Sequence, residues 1–368
     1  MTYDPAERRD TPLALELKAR IRKHGPISVA EYMRACLGDA EHGYYRGMPA
    51  IGAGGDFVTA PEISQVFGEL VGLWSVVAWQ QMGAPGRFHF VELGPGRGTM
   101  MADALRAAAL LPAFRAAAQV HLVESNPHLR ASQAERLGEL CRPCWHDRLA
   151  DIPPGPVIIL ANEFLDTLGA DHIEVTADGV GLRGVGLDTA GRLDFVRLEG
   201  GGVPGDAMPD VRLAQLVPGQ VLERQDLAPL RALGEWASTG PLAVLFIDYG
   251  HSRTTAGATL QAVRAHRYEH PLASPGEADL SVGVDFAHVG ATLAGWGLHV
   301  DGPVTQAEFL GRLGIIERAS RLMAANPAAA AGIEAGVARL MAPNGMGSRF
   351  KVLGARSATL PALPGLSD

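Results

Sequence analysis

Residues 88–100, FHFVELGPGRGTM, constrain the fold of this chain more than any other stretch. Phe88, Phe90 and Val91 are residue types that favour strands, and the alanine-rich stretch at 101–110 predicts a helix. Three glycines therefore fall on a strand-to-helix turn. Glycine lets the backbone turn tightly and approach a ligand, because no Cβ atom stands in the way. The pattern predicts a buried parallel strand followed by a nucleotide-binding turn.

The spacing of these glycines separates two kinds of nucleotide site. Gly94, Gly96 and Gly98 read G-x-G-x-G, whereas a dinucleotide site reads G-x-G-x-x-G and has its acidic residue about 20 positions further on. Here Glu92 precedes the first glycine, where its charge would repel a pyrophosphate. The same charge favours the ammonium and sulfonium groups of S-adenosylmethionine (SAM). The alternative is a glycine-rich turn beside two surface carboxylates.

The strands that follow supply further acidic residues. Residues 120–123 predict a strand that ends at Glu124, where a carboxylate can accept both hydrogen bonds of a ribose diol. A short strand at 141–145 leads to Asp147, which can meet an adenine amino group. The cofactor-binding residues predicted for SAM are Thr59, Glu92, Gly94, Gly96, Gly98, Thr99, Glu124, Asp147 and Asn162.

Composition excludes several classes of function. The chain has 368 residues, enough for one large α/β domain with insertions or for two domains. Its formal net charge of −8, without a lysine or arginine cluster, argues against a nucleic-acid or membrane surface and favours a basic substrate. We expect no metal site, because the single C-R-P-C pair has no second pair to complete one. No stretch is apolar for long enough to span a bilayer, and the acidic N-terminus predicts a cytoplasmic protein.

The segments outside the glycine turn indicate the domain organisation. Residues 1–85 predict an N-terminal helical segment with a lid loop, and 86–368 predict the core, with an antiparallel β insertion at about 170–225. Residues 254–284 show little pattern and form a second lid candidate. The lid loop of the N-terminal segment, at 42–64, is rich in glycine and has no sustained hydrophobic period. It is therefore either an irregular connector or a lid that closes over the cofactor. Its functional candidates are Gly55, Asp56, Phe57, Thr59 and Glu62.

Two apolar runs predict central parallel strands that end in acidic residues. PVIIL at 156–160 leads to Asn162, Glu163 and Asp166, and LAVLFI at 242–247 leads to Asp248. Ligands of open parallel sheets lie beyond the carboxyl ends of the strands, so both ends can face one cleft. The alternative for the first segment is a capped helix start.

These blocks together resemble the MidA-like family of SAM-dependent methyltransferases. The matching blocks are GDFVTAPEISQVFGE at 55–69, VELGPGRGT at 91–99, NEFLD at 162–166, DYGH at 248–251, GEADLSVGVDF at 276–286 and MGSRFKVL at 346–353. The resemblance implies an α/β, Rossmann-like, seven-stranded methyltransferase sheet with SAM at the glycine turn. It also implies a protein arginine as acceptor, in a subunit of respiratory complex I, because the family includes an assembly factor of that complex.

An arginine acceptor would give the acidic strand ends a role. Arginine stays protonated at neutral pH, and its planar fork pairs with carboxylates. The first candidates are Glu163 and Asp166, with Asp248 and Asp285 behind them. Two other classes share parts of the pattern: a NAD-dependent oxidoreductase, which the glycine spacing disfavours, and a SAM-binding assembly factor without catalysis, which would not need the acids.

Overall fold

The computed structural model describes residues 3–46, 59–177, 179–199 and 217–367. The lid candidates Gly55, Asp56 and Phe57 lie outside the described residues. The helices are α1 (Pro12–His24), α2 (Val29–Gly38), α3 (Ala60–Ile63), α4 (Gln65–Gln81), α5 (Thr99–Ala107), α6 (Pro112–Ala117), α7 (Pro127–Leu137), α8 (Ala232–Ala237), α9 (Phe286–Gly295), α10 (Gln306–Arg312), α11 (Ile315–Ala325), α12 (Ala330–Met341) and α13 (Met346–Arg349). In the part of the chain that is described, no helix is long and apolar enough to cross a membrane.

The strands fall into several sheets. They are β1 (Ile27–Ser28), β2 (Phe88–Leu93), β3 (Ala118–Val123), β4 (Cys144–His146), β5 (Val157–Asn162), β6 (Ala170–Thr176), β7 (Gly179–Leu187), β8 (Leu193–Arg197), β9 (Val221–Gln225), β10 (Leu242–His251), β11 (Gln261–Arg264), β12 (Arg267–Glu269), β13 (Asp279–Ser281), β14 (Val284–Asp285), β15 (His299–Thr305) and β16 (Phe350–Arg356).

The chain forms two compact units from interleaved stretches. The first unit contains Met1–Phe57, Asp166–Asp226 and Arg253–His288, and the second contains Val58–Leu165, Leu227–Ser252 and Val289–Asp368.

The second unit is built on the predicted α/β sheet. Seven of its strands lie in the order β15-β16-β10-β5-β2-β3-β4. Neighbours from β10 to β4 are parallel, and β16 is antiparallel to β10 and β15. β2 and β5 are buried along their whole length, which explains the strand-favouring residues of β2 and the nearly continuous apolar run of β5. The seven-stranded methyltransferase sheet is therefore confirmed.

Two glycines let α4 pack closely on α5. A Cβ atom at Gly72 would lie 2.5 Å from the Cα atom of Ala104, and one at Gly68 would lie 2.6 Å from the Cβ atom of Asp103. The helical stretch after Thr59 is broken at Ser64, whose hydroxyl accepts a hydrogen bond from the Val66 N–H and so begins α4. This break places α3 as a separate short helix ahead of α4.

The first unit contains the predicted antiparallel strands. Its larger sheet has the order β1-β7-β6-β9, with β8 paired to β7. The reading of 254–284 as patternless is wrong, because β11 pairs with β12 and β13 there. These strands have only 3 or 4 residues, too few to show an alternating pattern. Their turn also lacks glycine: Ala265 and His266 have φ values of 49° and 60°.

Candidate cofactor site

The glycine turn joins β2 to α5 in the second unit, as predicted. Gly94, Gly96 and Gly98 have φ values of 57°, 52° and 77°, in the left-handed region that favours glycine. A Cβ atom at Gly94 would lie 3.1 Å from Cδ2 of Phe164, which follows β5. The turn therefore needs glycine for its backbone conformation and, at Gly94, for close packing as well.

Glu92 is a buried carboxyl group at the end of β2. It is 3% exposed and accepts a hydrogen bond from the Met101 N–H near the start of α5. Its other oxygen, Oε2, has no hydrogen-bond partner among the described residues. Burial raises the pKa of Glu92 to about 8. A cationic ligand group fits this position, because it would supply the missing donor and stabilise the ionised carboxylate.

Glu124 directly follows β3 and is held by its neighbours. Its N–H donates to the His146 carbonyl over 3.0 Å, and its Oε1 accepts from the Asn126 N–H over 2.8 Å. The amide Nε2 of Gln133 lies 3.4 Å from the other oxygen, Oε2. Burial raises the pKa of Glu124, while these hydrogen bonds oppose the shift. The carboxylate retains acceptor capacity for a diol.

Asp147, the predicted adenine ligand, lies one residue beyond β4. Its side chain is 73% exposed and forms an ion pair with Arg130, with 2.7 Å between Oδ1 and Nη2. Arg130 also donates from Nε to the Glu124 carbonyl over 2.6 Å. One arginine therefore connects the Asp147 carboxylate with the backbone at Glu124.

The short helix α3 is tied to the glycine turn and to β5. The Thr99 hydroxyl donates to Glu62, and Arg97 Nη1 lies 3.7 Å from the same carboxylate. The Ala60 N–H donates to Glu163 Oε1 over 3.1 Å. Thr59 precedes α3 without a side-chain capping bond. Glu62, a lid candidate in the sequence, thus contacts the turn directly.

Asn162 and Glu163 stand at the carboxyl end of β5. Asn162 Nδ2 donates to Glu163 Oε1 over 3.2 Å, while Asn162 Oδ1 has no hydrogen-bond partner among the described residues. Glu163 has a φ of 50°, which is uncommon for a residue other than glycine. Backbone strain of this kind is concentrated at functional sites.

The four predicted acceptor acids divide between the units. Glu163 and Asp248 belong to the second unit, and Asp166 and Asp285 to the first. The Asp285 carboxylate, 1% exposed, accepts hydrogen bonds from Arg224 and, over 2.7 Å, from the Thr254 hydroxyl. These bonds occupy Asp285 within its own unit and make it a weaker candidate for an acceptor guanidinium.

Two further residues of the site carry no signal in the sequence. Gln133 of α7 is fully buried and donates from Nε2 to the Gly96 carbonyl over 2.7 Å. Trp145 of β4 donates to Gln133 Oε1 over 2.8 Å. A single glutamine in an amphipathic helix has no motif or periodicity that distinguishes it, so only the folded arrangement shows its position.

The parallel sheet and its glycine turn define a SAM-dependent methyltransferase. Comparison with known proteins supports this class: residues 70–304 match the model of a family described as putative S-adenosyl-L-methionine-dependent methyltransferases. The chain belongs to this family, and SAM is its cofactor. The MidA-like resemblance, with its fold and cofactor, is confirmed.

The individual relatives are similar over nearly the whole chain. The protein arginine methyltransferase NDUFAF7 homolog, mitochondrial, of Drosophila melanogaster is 36% identical, covering 95% of this chain and 85% of the relative. The mouse protein arginine methyltransferase NDUFAF7, mitochondrial, is also 36% identical, over 94% and 85%. A crystal structure from Burkholderia thailandensis, bound to S-adenosyl-homocysteine, has a TM-score of 0.83 at 27% identity and covers 96% of this chain and 94% of that chain.

These relatives correct one expectation. Both NDUFAF7 proteins are named as mitochondrial, so the prediction of a cytoplasmic protein is wrong. That prediction rested only on the residue types of the N-terminal segment.

The raised pKa of Glu92 leads to a prediction about pH. Because the pKa of the ligand-free carboxyl group is about 8, a cation that binds the ionised form releases a proton. SAM affinity should then rise with pH up to about 8, by at most about tenfold per pH unit. Calorimetry at several pH values, in buffers of different ionisation enthalpy, measures both the SAM affinity and the number of protons released on binding.

Glu92→Gln is the matched variant, since it keeps the shape and cannot ionise. It should lose the part of the pH dependence, and of the proton release, that belongs to Glu92. The free energy of unfolding of the ligand-free protein provides a second measurement. The contribution of Glu92 to it is fully present below pH 4.5 and is lost as pH rises to about 8. Identical pH profiles in the two proteins would contradict this role.

Proposed function

We propose that this protein transfers methyl groups from SAM to arginine side chains of a protein acceptor, and that the acceptor is a subunit of respiratory complex I. The relatives named as protein arginine methyltransferases support the arginine. The observation that carries the proposal is a pair of carboxylates: Glu163 directly follows β5, and Asp248 lies within β10 at the point where its parallel pairing with β5 ends. Glu163 and Asp248 directly follow the paired residues Asn162 and Ile247.

The cofactor contacts form the first part of the proposed site. The backbone at Gly94, Gly96 and Gly98 approaches the cofactor, Glu92 receives its ammonium group, and Glu124 receives the ribose hydroxyls. Thr59, Thr99, Asn162 and Asp147 are the remaining proposed contacts. When bound, SAM supplies an activated methyl group, so the protein contributes position and electrostatics.

The strand-end acids form the second part. The Glu163 N–H donates to the Ile247 carbonyl over 2.8 Å, which fixes the backbone of Glu163 beside β10. Phe164 packs at Gly94, so the Glu163 segment adjoins the glycine turn within one unit. A carboxylate here can accept N–H bonds from a guanidinium and hold its charge while the acceptor nitrogen loses a proton. Within the second unit we rank Glu163 first and Asp248 second; the other two predicted acids, Asp166 and Asp285, belong to the first unit.

The test uses complex I purified from a strain that lacks this protein. Incubation with the protein and SAM labelled in the methyl group should place the label on arginine, as determined by mass spectrometry of the subunits. Complex I from the parent strain is the control, because its sites are already methylated. Label confined to lysine would contradict the arginine acceptor, and no label would favour a SAM-binding assembly factor without catalysis.

A further inference from the structure

Gln133 connects three segments of the proposed cofactor site. Its buried amide contacts three elements of the second unit: the Gly96 carbonyl of the turn, the Glu124 carboxylate after β3 and the indole of Trp145 in β4. Gln133 also packs at the turn, since a Cβ atom on Gly98 would lie 3.4 Å from its Cγ atom. One side chain thus links the glycine turn with Glu124, the carboxylate proposed to receive the ribose hydroxyls.

The orientation of the Gln133 amide is determined by its partners. The Trp145 indole N–H can only donate, so the atom 2.8 Å from it must be the amide oxygen. The Gly96 carbonyl can only accept, so the atom 2.7 Å from it must be the amide nitrogen. Both assignments agree. The nitrogen then directs its second N–H towards Glu124 Oε2, 3.4 Å away.

The contact between Gln133 and Glu124 affects how many hydrogen bonds the Glu124 carboxylate can still accept. A carboxylate has about four acceptor positions on its two oxygens. The Asn126 N–H uses one on Oε1, and Gln133 approaches one on Oε2. The Ser125 N–H also bonds to this carboxylate, so the acceptor capacity that remains is what a ribose hydroxyl can use. Gln133 is a side chain that approaches Oε2 and so contributes to the orientation of this oxygen.

We infer that Gln133 is a positioning residue that makes the cofactor site selective for a ribose diol, by orienting the Glu124 carboxylate against the Gly96 backbone. This inference rests on the proposed cofactor contacts of Glu124 and Gly96. Gln133 itself acts through these two groups. It therefore determines how strongly the protein distinguishes a ligand with both hydroxyls from one without them.

The experiment compares two ligands, S-adenosyl-homocysteine and its 2′,3′-dideoxy form, by calorimetry. The protein should prefer the diol on the order of 10- to 100-fold, as expected for hydrogen bonds to a charged group. Gln133→Met keeps the length of the side chain and removes the amide, so the preference should fall to about threefold or less. Trp145→Phe removes only the donor that orients the amide and should give an intermediate ratio.

Two controls separate positioning from stability. Ser132→Ala changes the neighbouring residue, whose exposed hydroxyl donates to the His128 carbonyl of its own helix. Its ratio should match that of the unmodified protein. Thermal unfolding checks that each variant is folded. A general loss of stability would weaken both ligands equally and leave their ratio unchanged, which would overturn the inference.

Glu124→Ala distinguishes the inference from the proposed site. If Glu124→Ala loses the diol preference and Gln133→Met retains it, the ribose contact stands and the inference about Gln133 is wrong. If Glu124→Ala retains the preference, the proposed ribose contact itself is wrong, and the inference falls with it. In the Glu124→Ala background, Gln133→Met should cause no further change in the ratio.

Discussion

Replacing Gly96 with valine is expected to abolish SAM binding. Gly96 has a φ of 52°, where a β-branched residue is strongly disfavoured. Valine would also place a side chain where the backbone approaches the cofactor. Relief of the strain would rotate the Gly96 carbonyl away from Gln133 and disturb the turn. Together these effects, each worth about 1–3 kcal/mol, predict a loss in affinity of at least about 100-fold, measurable by calorimetry.

Gly86→Val provides the matched control for this variant. Gly86 is exposed, precedes β2, has no positive φ, and a Cβ atom there would meet nothing within 4 Å. Its SAM affinity should equal that of the unmodified protein, and circular dichroism should show that both valine variants are folded. A folded Gly96→Val protein with unchanged SAM affinity would remove the glycine turn from the cofactor site.

The parts of the fold that the sequence predicts are local. The strands at Phe88 and Val157 show their burial in consecutive residues, because parallel strands covered on both faces are rich in apolar, strand-favouring residues. The glycines likewise show backbone requirements that belong to single positions. The location of the acidic residues at one edge of the sheet then follows, because the carboxyl ends of parallel strands lie at the same edge.

The parts that escaped prediction depend on contacts between distant residues. Gln133 and Trp145 have roles only because other segments bring their partners to them. Three histidines on neighbouring strands are a further arrangement that the sequence does not predict. The His121 Nε2 atom lies 2.9 Å from His89 Nδ1, and its Nδ1 atom lies 2.9 Å from His146 Nε2. Burial and the adjacent imidazoles lower the pKa of His121 to about 4. No spacing in the sequence indicates this arrangement.

Replacing Glu163 with glutamine is expected to reduce methyl transfer by roughly 100-fold or more, as for the loss of a positioning contact at a reacting centre. The substitution removes the charge and replaces one acceptor oxygen with a donor, which cannot pair with a guanidinium N–H. Glutamine keeps an oxygen that can accept from the Ala60 N–H, so the contact with α3 is retained. SAM affinity should therefore stay nearly constant while activity falls.

This pairing of measurements separates acceptor recognition from cofactor binding. For each variant, SAM affinity is measured by calorimetry and methyl incorporation is measured on complex I from the strain that lacks the protein. Glu139→Gln, an exposed carboxylate after α7, is the control and should change neither quantity. Loss of both quantities in Glu163→Gln would assign Glu163 to the cofactor or to the fold. Full activity in Glu163→Gln with loss in Asp248→Asn would move the guanidinium contact to Asp248, which follows the last β10 residue paired with β5 in the same unit.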